Sequence, residues 1–223
     1  MIKKIMSLCA GALLVLAINA HANPTETELG IQKVLDNWFE YDHNHAPLFE
    51  NTVWWVKNKE VDDTIRLQYK DLYQQAIQGG LKDWLATPRG TLAYVILIDQ
   101  FSRNMFRDSP KAYQHDELAL KVAKDAIQKG VDKQLTLTER VFLYLPLEHS
   151  ENIDDQNQSV ALFEQLYKDT PAAQKPLAAK FLKYAKAHQQ IIAQFGRFPH
   201  RNKILSRKST PEEQAFLKTH PGF

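Results

Sequence analysis

A carboxylate and a guanidinium lie four residues apart within an apolar stretch of the chain. Asp99 and Arg103 share one face of a helix at this spacing, so their charges can pair. The surrounding residues 92–108 leave almost no polar face, which is typical of a helix that is buried on most sides. Because a buried ion pair is costly unless further hydrogen bonds complete it, the pattern predicts either a structural link between helices or the lining of a polar pocket.

A histidine between acidic residues follows Pro146. Proline has no N–H for an interior helical bond, so we predict that the helix beginning at Leu137 kinks or ends at Pro146. Glu148, His149 and Glu151 then lie at a helix end and in the loop after it, where binding and catalytic groups concentrate. A histidine can act as acid or base near neutral pH. The alternative is a capping segment in which His149 interacts with the carboxyl end of the helix.

Basic side chains follow a predicted helix end at Gly196. Glycine adopts the left-handed conformation that ends helices, and Pro199 blocks helical continuation and can begin a new turn. Arg197 and Arg201 suit planar, bidentate recognition of a carboxylate or phosphate. Phenylalanines interleave with these arginines and a capped helix follows Thr210, so the segment is predicted to dock on the protein rather than to form a disordered tail.

Helix-start signals recur along the chain. Capping boxes, in which a threonine hydroxyl accepts from a backbone N–H and a glutamate reaches back, are predicted at Thr25, Thr136 and Thr210. A capping residue precedes proline at Thr87-Pro88, Ser109-Pro110, Thr170-Pro171 and Thr210-Pro211. Helices are predicted near residues 26–41, 60–78, 88–106, 110–128, 137–147, 154–167 and 172–195, with a short one after Thr210.

These helices set the fold class. Connections between them are short, so neighbours are expected to pack as antiparallel hairpins. No segment has the sustained alternation of a strand, and no clean 34-residue repeat matches the tetratricopeptide consensus. Residues 23–223 are therefore predicted to form a single all-α domain.

The N-terminus has the pattern of a secretory signal peptide. Lys3 and Lys4 precede an apolar run that ends at Ile18, and Ala20-His21-Ala22 forms a cleavage site. Residues 1–22 are predicted to be removed, leaving a periplasmic or secreted protein. The run is shorter than the about 20 residues of a membrane span, so stable membrane insertion is not expected after cleavage. An uncleaved anchor is the alternative.

The mature composition excludes several kinds of chemistry. Cys9 is the single cysteine and would leave with the signal, so neither a disulfide nor a thiol nucleophile is expected. Lys3 and Lys4 are two of the 28 basic residues, and all 26 acidic residues follow the signal, so the mature side chains balance in charge. This balance gives no reason to expect nucleic-acid binding.

Three blocks carry the unusual polar residues: LIDQFSRN at 97–104, FLYLPLEHSE at 142–151 and FGRFPHRN at 195–202. Together they resemble the signature blocks of a bacterial family called domain of unknown function 924. The resemblance implies an all-α superhelical bundle similar to tetratricopeptide-repeat proteins, without implying their peptide binding. Ser102 stands where the family usually has proline, and the predicted export is a second departure. The family has no settled activity, so the resemblance supplies a fold and positions.

The leading hypothesis is a pocket that binds a small anionic or zwitterionic ligand where the three blocks meet. The predicted ligand-binding residues are Asp99, Arg103, Glu148, Gln156, Arg197, His200, Arg201 and Asn202. One alternative is a hydrolase in which His149 or Glu151 is the general base and an arginine stabilises the oxyanion. A second is an interaction scaffold for a protein partner, with Trp54-Trp55 and the 43–49 loop as an apolar patch, unless both tryptophans pack against the first two helices.

No cofactor or metal is predicted. The chain has no G-x-S-x-G, H-E-x-x-H, Walker or dinucleotide-binding motif. A metal variant of the hydrolase would draw on His149, Glu151, His188 and His200, or on His43-x-His45. None of these sets has the spacing of a recognised ligand group.

Overall fold

The structure is a computed structural model that describes residues 23–42 and 54–220. The predicted signal peptide and the 43–49 loop lie outside these residues. Within them the chain forms α-helices joined by turns and short 3-10 segments, and no β-strand. The α-helices are α1 Glu26–Trp38, α2 Lys59–Ile77, α3 Pro88–Val95, α4 Phe101–Met105, α5 Asp116–Gln128, α6 Leu137–Glu148, α7 Ile153–Asp169, α8 Lys175–Phe195 and α9 Pro211–Thr219. The predicted all-α class is confirmed, whereas the likeness to a tetratricopeptide superhelix stays a prediction.

The helix starts follow the capping signals of the sequence. Complete capping boxes form at Thr25, Thr136 and Thr210, as predicted. Thr87 caps α3, accepting from the N–H of Gly90 at 3.1 Å. The prediction for Thr170 was wrong: its hydroxyl donates to the carbonyl of Leu166 at the end of α7 instead of capping a new helix. A hydroxyl one turn after a helical carbonyl can satisfy that carbonyl as readily as it can cap the next helix.

The core surrounds the continuous helix made of α3, a π-helical segment Ile96–Gln100 and α4. Its apolar side chains between residues 92 and 98 are fully buried against α1, α2, α5 and α6. An aromatic cluster fills the adjoining space, with Trp38, Phe39, Trp54 and Phe142 in mutual ring contact. Each such pair contributes about 0.5–1.5 kcal/mol beyond the burial of its area.

The π-helical segment widens the central helix by one residue. The N–H of Phe101 donates to the carbonyl of Ile96, five residues back instead of four. The sequence predicted one regular helix over 88–106. The widened turn contains Asp99, and such bulges occur frequently at functional sites.

The helix α6 continues through Pro146. It ends at Glu148, and His149 caps it by donating its backbone N–H to the carbonyl of Leu145 at 2.8 Å. Pro146 has no N–H and so removes one hydrogen bond, but the next turn still closes. The helix therefore does not end at the proline. Glu148 consequently lies in the last helical turn rather than in a loop.

The C-terminal segment is docked, as predicted. Helix α8 ends where Gly196 adopts a left-handed φ of 68°, and a 3-10 turn Pro199–Arg201 follows. Ile191, Ile192 and Phe198 form a small second core, against which Phe195 and Phe216 pack.

Glu213 fastens this segment with its carboxylate. It accepts from Arg197 Nε at 2.7 Å and Nη2 at 2.9 Å, from Asn202 Nδ2 at 3.0 Å, and from the backbone N–H of Thr210 at 2.8 Å. These bonds join the turn after α8 to the start of α9. Throughout residues 23–42 and 54–220, no helix combines the length and apolar character needed to cross a membrane.

Replacing Glu213 by Gln should destabilise the protein by about 2 to 3 kcal/mol, because Arg197 and the α9 cap lose a buried partner. The neighbouring Glu212 is exposed and provides the matched control; Glu212→Gln should lower the urea midpoint much less than Glu213→Gln does. Urea denaturation of the two variants measures both effects. Equal stabilities would show that Glu213 is not the fastening group.

Candidate functional site

Asp99 is the centre of a buried charge network. Its carboxylate forms an ion pair with Arg103, whose Nη1 lies 3.1 Å from Oδ1, and accepts hydrogen bonds from His149 Nδ1 at 2.8 Å and from the side-chain amide of Gln100. Burial alone would raise the pKa of Asp99, but Arg103 and His149 hold that pKa well below its usual range. A fully buried carboxylate therefore stays ionised because three donors surround it.

Arg103 extends the network to helix α5. Its Nη1 and Nη2 donate to Asp116 Oδ1 at 3.1 Å and Oδ2 at 3.0 Å, while Nη1 also donates to the backbone carbonyl of Asp99 at 2.8 Å. The predicted Asp99–Arg103 pair is confirmed, with Asp116 as an additional acid. The guanidinium thus links the π-helical segment to α5.

His149 is the C-cap residue of α6, and one of its ring nitrogens contacts the carboxylate of Asp99. Because the Asp99 carboxylate is ionised, Nδ1 bears the proton and donates, which leaves Nε2 as an acceptor. Burial, followed by the charge of Arg103, lowers the pKa of His149. The pair is a neutral imidazole oriented by a carboxylate, which is the arrangement of a general base.

Arg201 reaches the same place from the C-terminal segment. Its Nη1 donates to the carbonyl of His149 at 3.0 Å and lies 3.8 Å from Asp116 Oδ2. The guanidinium sits over the rings of Phe198 at 4.4 Å and Tyr113 at 4.9 Å. Its residue is only 6% exposed, and its Nε has no hydrogen-bond partner. Burial and the charge of Arg103 lower the pKa of Arg201 to about 10.

A cavity of about 850 Å³, here called the cationic cavity, opens at this network. It is lined by Lys57, Arg103, Arg107, Asp108, Ala112, Tyr113, His149, His188, His200, Arg201, Lys203 and Ile204. Two of its cations are matched by acids: Arg103 by Asp99 and Asp116, and Arg107 by Asp62, to which Nη2 donates at 2.7 Å. The volume is within the range of small-molecule sites, about 300–1,000 Å³.

Two further histidines in this lining are neutral. Burial lowers the pKa of His188 to about 3 and that of His200 to about 4, and the charge of Arg201 adds to the shift in both. The Nδ1 of His200 is buried without a hydrogen-bond partner. The positive charge of the cavity therefore comes from its lysines and arginines.

A second cavity of about 410 Å³ adjoins the first and is called here the aromatic cavity. It is lined by Trp54, Trp55, Leu145, Glu148, His149, Phe163, Lys180, Phe181, Tyr184 and His188. His149 and His188 line both cavities and form the wall between them. Trp55 and Tyr184 are each about half exposed, so the aromatic cavity has an apolar rim.

Glu148 is a buried carboxyl in the wall of the aromatic cavity. Its Oε1 lies 3.3 Å from Nδ1 of His188, a nitrogen that is 2.9 Å from the carbonyl of Tyr184. Burial and the charge of Asp99 raise the pKa of Glu148 to about 8, so the carboxyl is largely protonated at neutral pH. Neighbouring acids thus differ in charge, with Asp99 ionised and Glu148 neutral.

Two of the predicted site residues lie away from both cavities. Glu151 accepts from Arg207 Nη1 at 2.5 Å and Nη2 at 2.9 Å and from the backbone N–H of Phe198 at 2.8 Å. Arg197 pairs with Glu213 rather than with the acids of the second block. Arg207, and not Arg201, forms the ion pair with Glu151.

Gln156 and Asn202 form hydrogen bonds with the segments that carry the site residues. Gln156 donates to the carbonyls of Glu148 and Ser150, both at 2.7 Å, and so braces the end of α6. Asn202 donates to Glu213 and accepts from Arg207 Nε at 3.0 Å. Neither lines a cavity, so of the predicted residues the structure brings Asp99, Arg103, Glu148, His149, His200 and Arg201 together.

Several lining residues escaped the sequence analysis. Tyr113, and Asp116, which does not line a cavity but pairs with Arg103, follow the Ser109-Pro110 start and look like ordinary helix residues in sequence. Lys57 and Lys203 are single exposed lysines, whose place at a cavity depends on tertiary packing. His188 was considered only as a metal ligand. The three blocks carry the signal that the sequence offers, and these residues lie outside the blocks.

The tryptophan pair divides between core and surface. Trp54 is buried and donates its indole N–H to the carbonyl of Trp38 at 2.7 Å, whereas Trp55 is 47% exposed. Packing against the first helix thus holds for Trp54. Among the residues described, no three His, Cys, Asp or Glu side chains lie together as a metal site.

Comparisons with known proteins agree with the three sequence blocks. The sequence profile of a family described as bacterial protein of unknown function (DUF924) matches residues 34–221. The solved structure of ATU0120, a protein of unknown function from Agrobacterium tumefaciens, aligns with a TM-score of 0.73 and 33% sequence identity. The alignment covers 87% of this chain and 99% of that one. No curated protein matches the chain.

The raised pKa of Glu148 predicts a specific dependence of stability on pH. The protonated carboxyl contributes stability that is fully present below its unfolded pKa near 4.5 and is lost as pH rises through about 8. Wild type should therefore lose stability relative to Glu148→Gln across this window, as measured by urea denaturation at each pH. Glu151→Gln is the control: burial raises the pKa of Glu151, but the hydrogen bonds and charge of Arg207 lower it overall, so wild type should lose stability relative to this variant only as pH falls below about 4.5 and not across the window of Glu148. A pH-independent difference for Glu148→Gln would contradict a buried neutral acid.

Proposed function

We propose, from the premise that the chain belongs to the bacterial DUF924 family of proteins of unknown function, that it binds a small anionic or zwitterionic ligand in the cationic cavity. We further propose that it does so after export, in the periplasm or outside the cell. The family brings no reaction with it, so the argument depends on the geometry of the cavity.

The observation that carries the proposal is the unpartnered Nε of Arg201, a residue that lines the cationic cavity. Its Nε lacks a partner although the residue is buried, and burial has already lowered its pKa to about 10. A buried donor without an acceptor costs about 1–3 kcal/mol, and more when it is charged. An anionic group in the cavity would recover part of this cost, since guanidinium binds carboxylate and phosphate in bidentate geometry.

The charges around Arg201 favour the same ligand. Lys57 and Lys203 line the cavity, and within the described residues neither pairs with a carboxylate. Among the described residues of the lining, Asp108 is the single acid beside this excess of cations. Cations that converge on one concave site raise the local concentration of anions.

A second candidate function is the hydrolysis of an anionic ester. The Asp99–His149 pair supports it, because Nε2 of the neutral imidazole is available to accept a proton from water. That water would bond to the electrophilic centre, and the leaving group would depart with the proton carried by His149. Arg201 would stabilise the oxyanion that develops. Ser102 is unsuited as nucleophile, since its hydroxyl donates to the carbonyls of Asp99 and Ala112.

Anion binding is tested with inorganic phosphate, sulfate and small carboxylates by calorimetry and ligand-dependent melting. Replacing both Lys57 and Lys203 by Gln should weaken binding several-fold, since an exposed charge contributes about 1 kcal/mol or less, and added salt should reduce the difference. Lys208 is exposed in the same segment but lies outside the cavity, so Lys208→Gln is the matched control. No binding by any of these anions, or an equal loss in the control, would reject the proposal.

Hydrolysis is tested with chromogenic carboxylate and phosphate esters that carry a negative charge. His149→Gln should reduce turnover by at least about 100-fold, because it removes the general base. Turnover by the wild type should fall only at a pH below the usual histidine range, as the lowered pKa of His149 requires. His220→Gln, at an exposed histidine outside both cavities, should leave turnover unchanged. Absence of turnover by the wild type, or equal turnover by His149→Gln, would eliminate this candidate.

A further inference from the structure

The aromatic cavity holds a carboxyl for which the proposed anion site has no use. The contacts of Glu148 within the described chain include no lysine or arginine. Its neighbour is the imidazole of His188, which is neutral because burial lowers its pKa to about 3. Ionising this carboxyl in a buried site without a cation costs free energy, so it stays protonated, and a cationic ligand beside it would offset the cost of ionisation.

In the part of the chain that the structure describes, five aromatic side chains share the lining with this carboxyl: Trp54, Trp55, Phe163, Phe181 and Tyr184. Aromatic faces attract cations, and rings that enclose a cavity recognise alkylated ammonium groups in particular. Such groups have no N–H bonds to satisfy, or few, and are therefore suited to a site that offers rings and one acid. The half-exposed Trp55 and Tyr184 leave the entrance open.

We propose that the aromatic cavity holds the alkylated ammonium group of a ligand whose acidic group occupies the cationic cavity. The ligand is then a small zwitterion, with its positive end at Glu148 and the aromatic rings and its negative end at Arg201. This inference rests on the proposed function and deepens it by naming the chemical class.

The arrangement of the two cavities supports one ligand that spans both. His149 and His188 line each of them, so the two spaces meet at a common wall. Arg201 donates to the backbone carbonyl of His149, the residue directly after Glu148. Glu148, which would hold the positive end of the ligand, is thus adjacent in sequence to His149, whose carbonyl holds Arg201 in place for the negative end.

An amphipathic anion such as a fatty acid fits this cavity less well. Its alkyl chain would cover Glu148 without giving the carboxyl any partner, which retains the cost of burying it. Lys180 adds a positive charge at the aromatic cavity, but its side chain is exposed and its field is screened by solvent. The buried Glu148 therefore has a larger effect than the exposed Lys180 on which chemical group enters the aromatic cavity.

Calorimetry on the full mature chain tests the inference with a matched ligand series. The probes are trimethylammonio-carboxylates of increasing spacer length and their tert-butyl isosteres, in which carbon replaces the charged nitrogen. At the best spacer, the charged compound should bind at least about tenfold more tightly than its isostere, as expected for a desolvated cation on aromatic faces. Glu148→Gln and Trp55→Leu should each reduce this ratio while leaving the binding of inorganic phosphate unchanged.

The outcomes separate this inference from the function on which it rests. Equal affinity for the charged compounds and their isosteres would overturn the inference and leave anion binding in place. Failure of phosphate, carboxylates and zwitterions alike would overturn both. If Glu148→Gln does not fold, Trp55→Leu decides, because its half-exposed ring can be removed with little loss of core. An unchanged ratio in Trp55→Leu would exclude the aromatic cavity as the ammonium site.

Discussion

The ionised carboxylate of Asp99 imposes the constraint around which the molecule is arranged. A charge in the centre of an apolar helix is tolerable only when donors replace the water it has lost. Gln100 and Arg103 come from the same helix, while His149 comes from the end of α6. Arg103 in turn contacts Asp116 of α5, and His149 places the end of α6 at the π-helical segment. The carbonyl of His149 also accepts from Arg201, which places that arginine beside the same segment. The polar site is thus a consequence of how one buried charge is satisfied.

Asp99 also determines the charge state of its neighbours. Its negative charge contributes to keeping Glu148 protonated, and its acceptor oxygen selects the tautomer of His149. Arg103 acts in the opposite direction by lowering the pKa of His149 and Arg201. Glu148 and His149, which are adjacent in sequence, are therefore both neutral. In water at neutral pH the glutamate would be ionised.

The fold was largely predictable because helix boundaries depend on local chemistry. Capping threonines and the glycine at 196 act through their own backbone neighbours, and these signals were read correctly. Thr170 was misread because a hydroxyl has two acceptable partners one turn apart, and only packing chooses between them. No local pattern in the sequence marks the π-helical turn. The turn contains Asp99, which contacts His149, fifty positions away in the chain, and local patterns do not report such contacts.

The site was predictable in its position but not in its pairings. The sequence indicated that the three blocks meet, but an arginine does not reveal which acid it will contact. Arg197 and Arg201 lie in the same short segment, yet one closes on Glu213 and the other keeps an unused N–H. Tyr113 and Asp116 entered the site through tertiary contacts that no spacing in their own segment specifies.

The docking of Arg201 has a consequence for the order in which the protein is built. The Asp99 network with Arg103 and the main hydrophobic core are built from residues up to α8, whereas Arg201 and the Glu213 fastening come from the segment after α8. During synthesis the hydrophobic core can therefore close before the last wall of the cationic cavity exists. A chain cut behind α8 would keep the main core but lack Arg201 and the wall of the cationic cavity that it forms, so an intact cavity requires that the segment after α8 has been synthesised and docked.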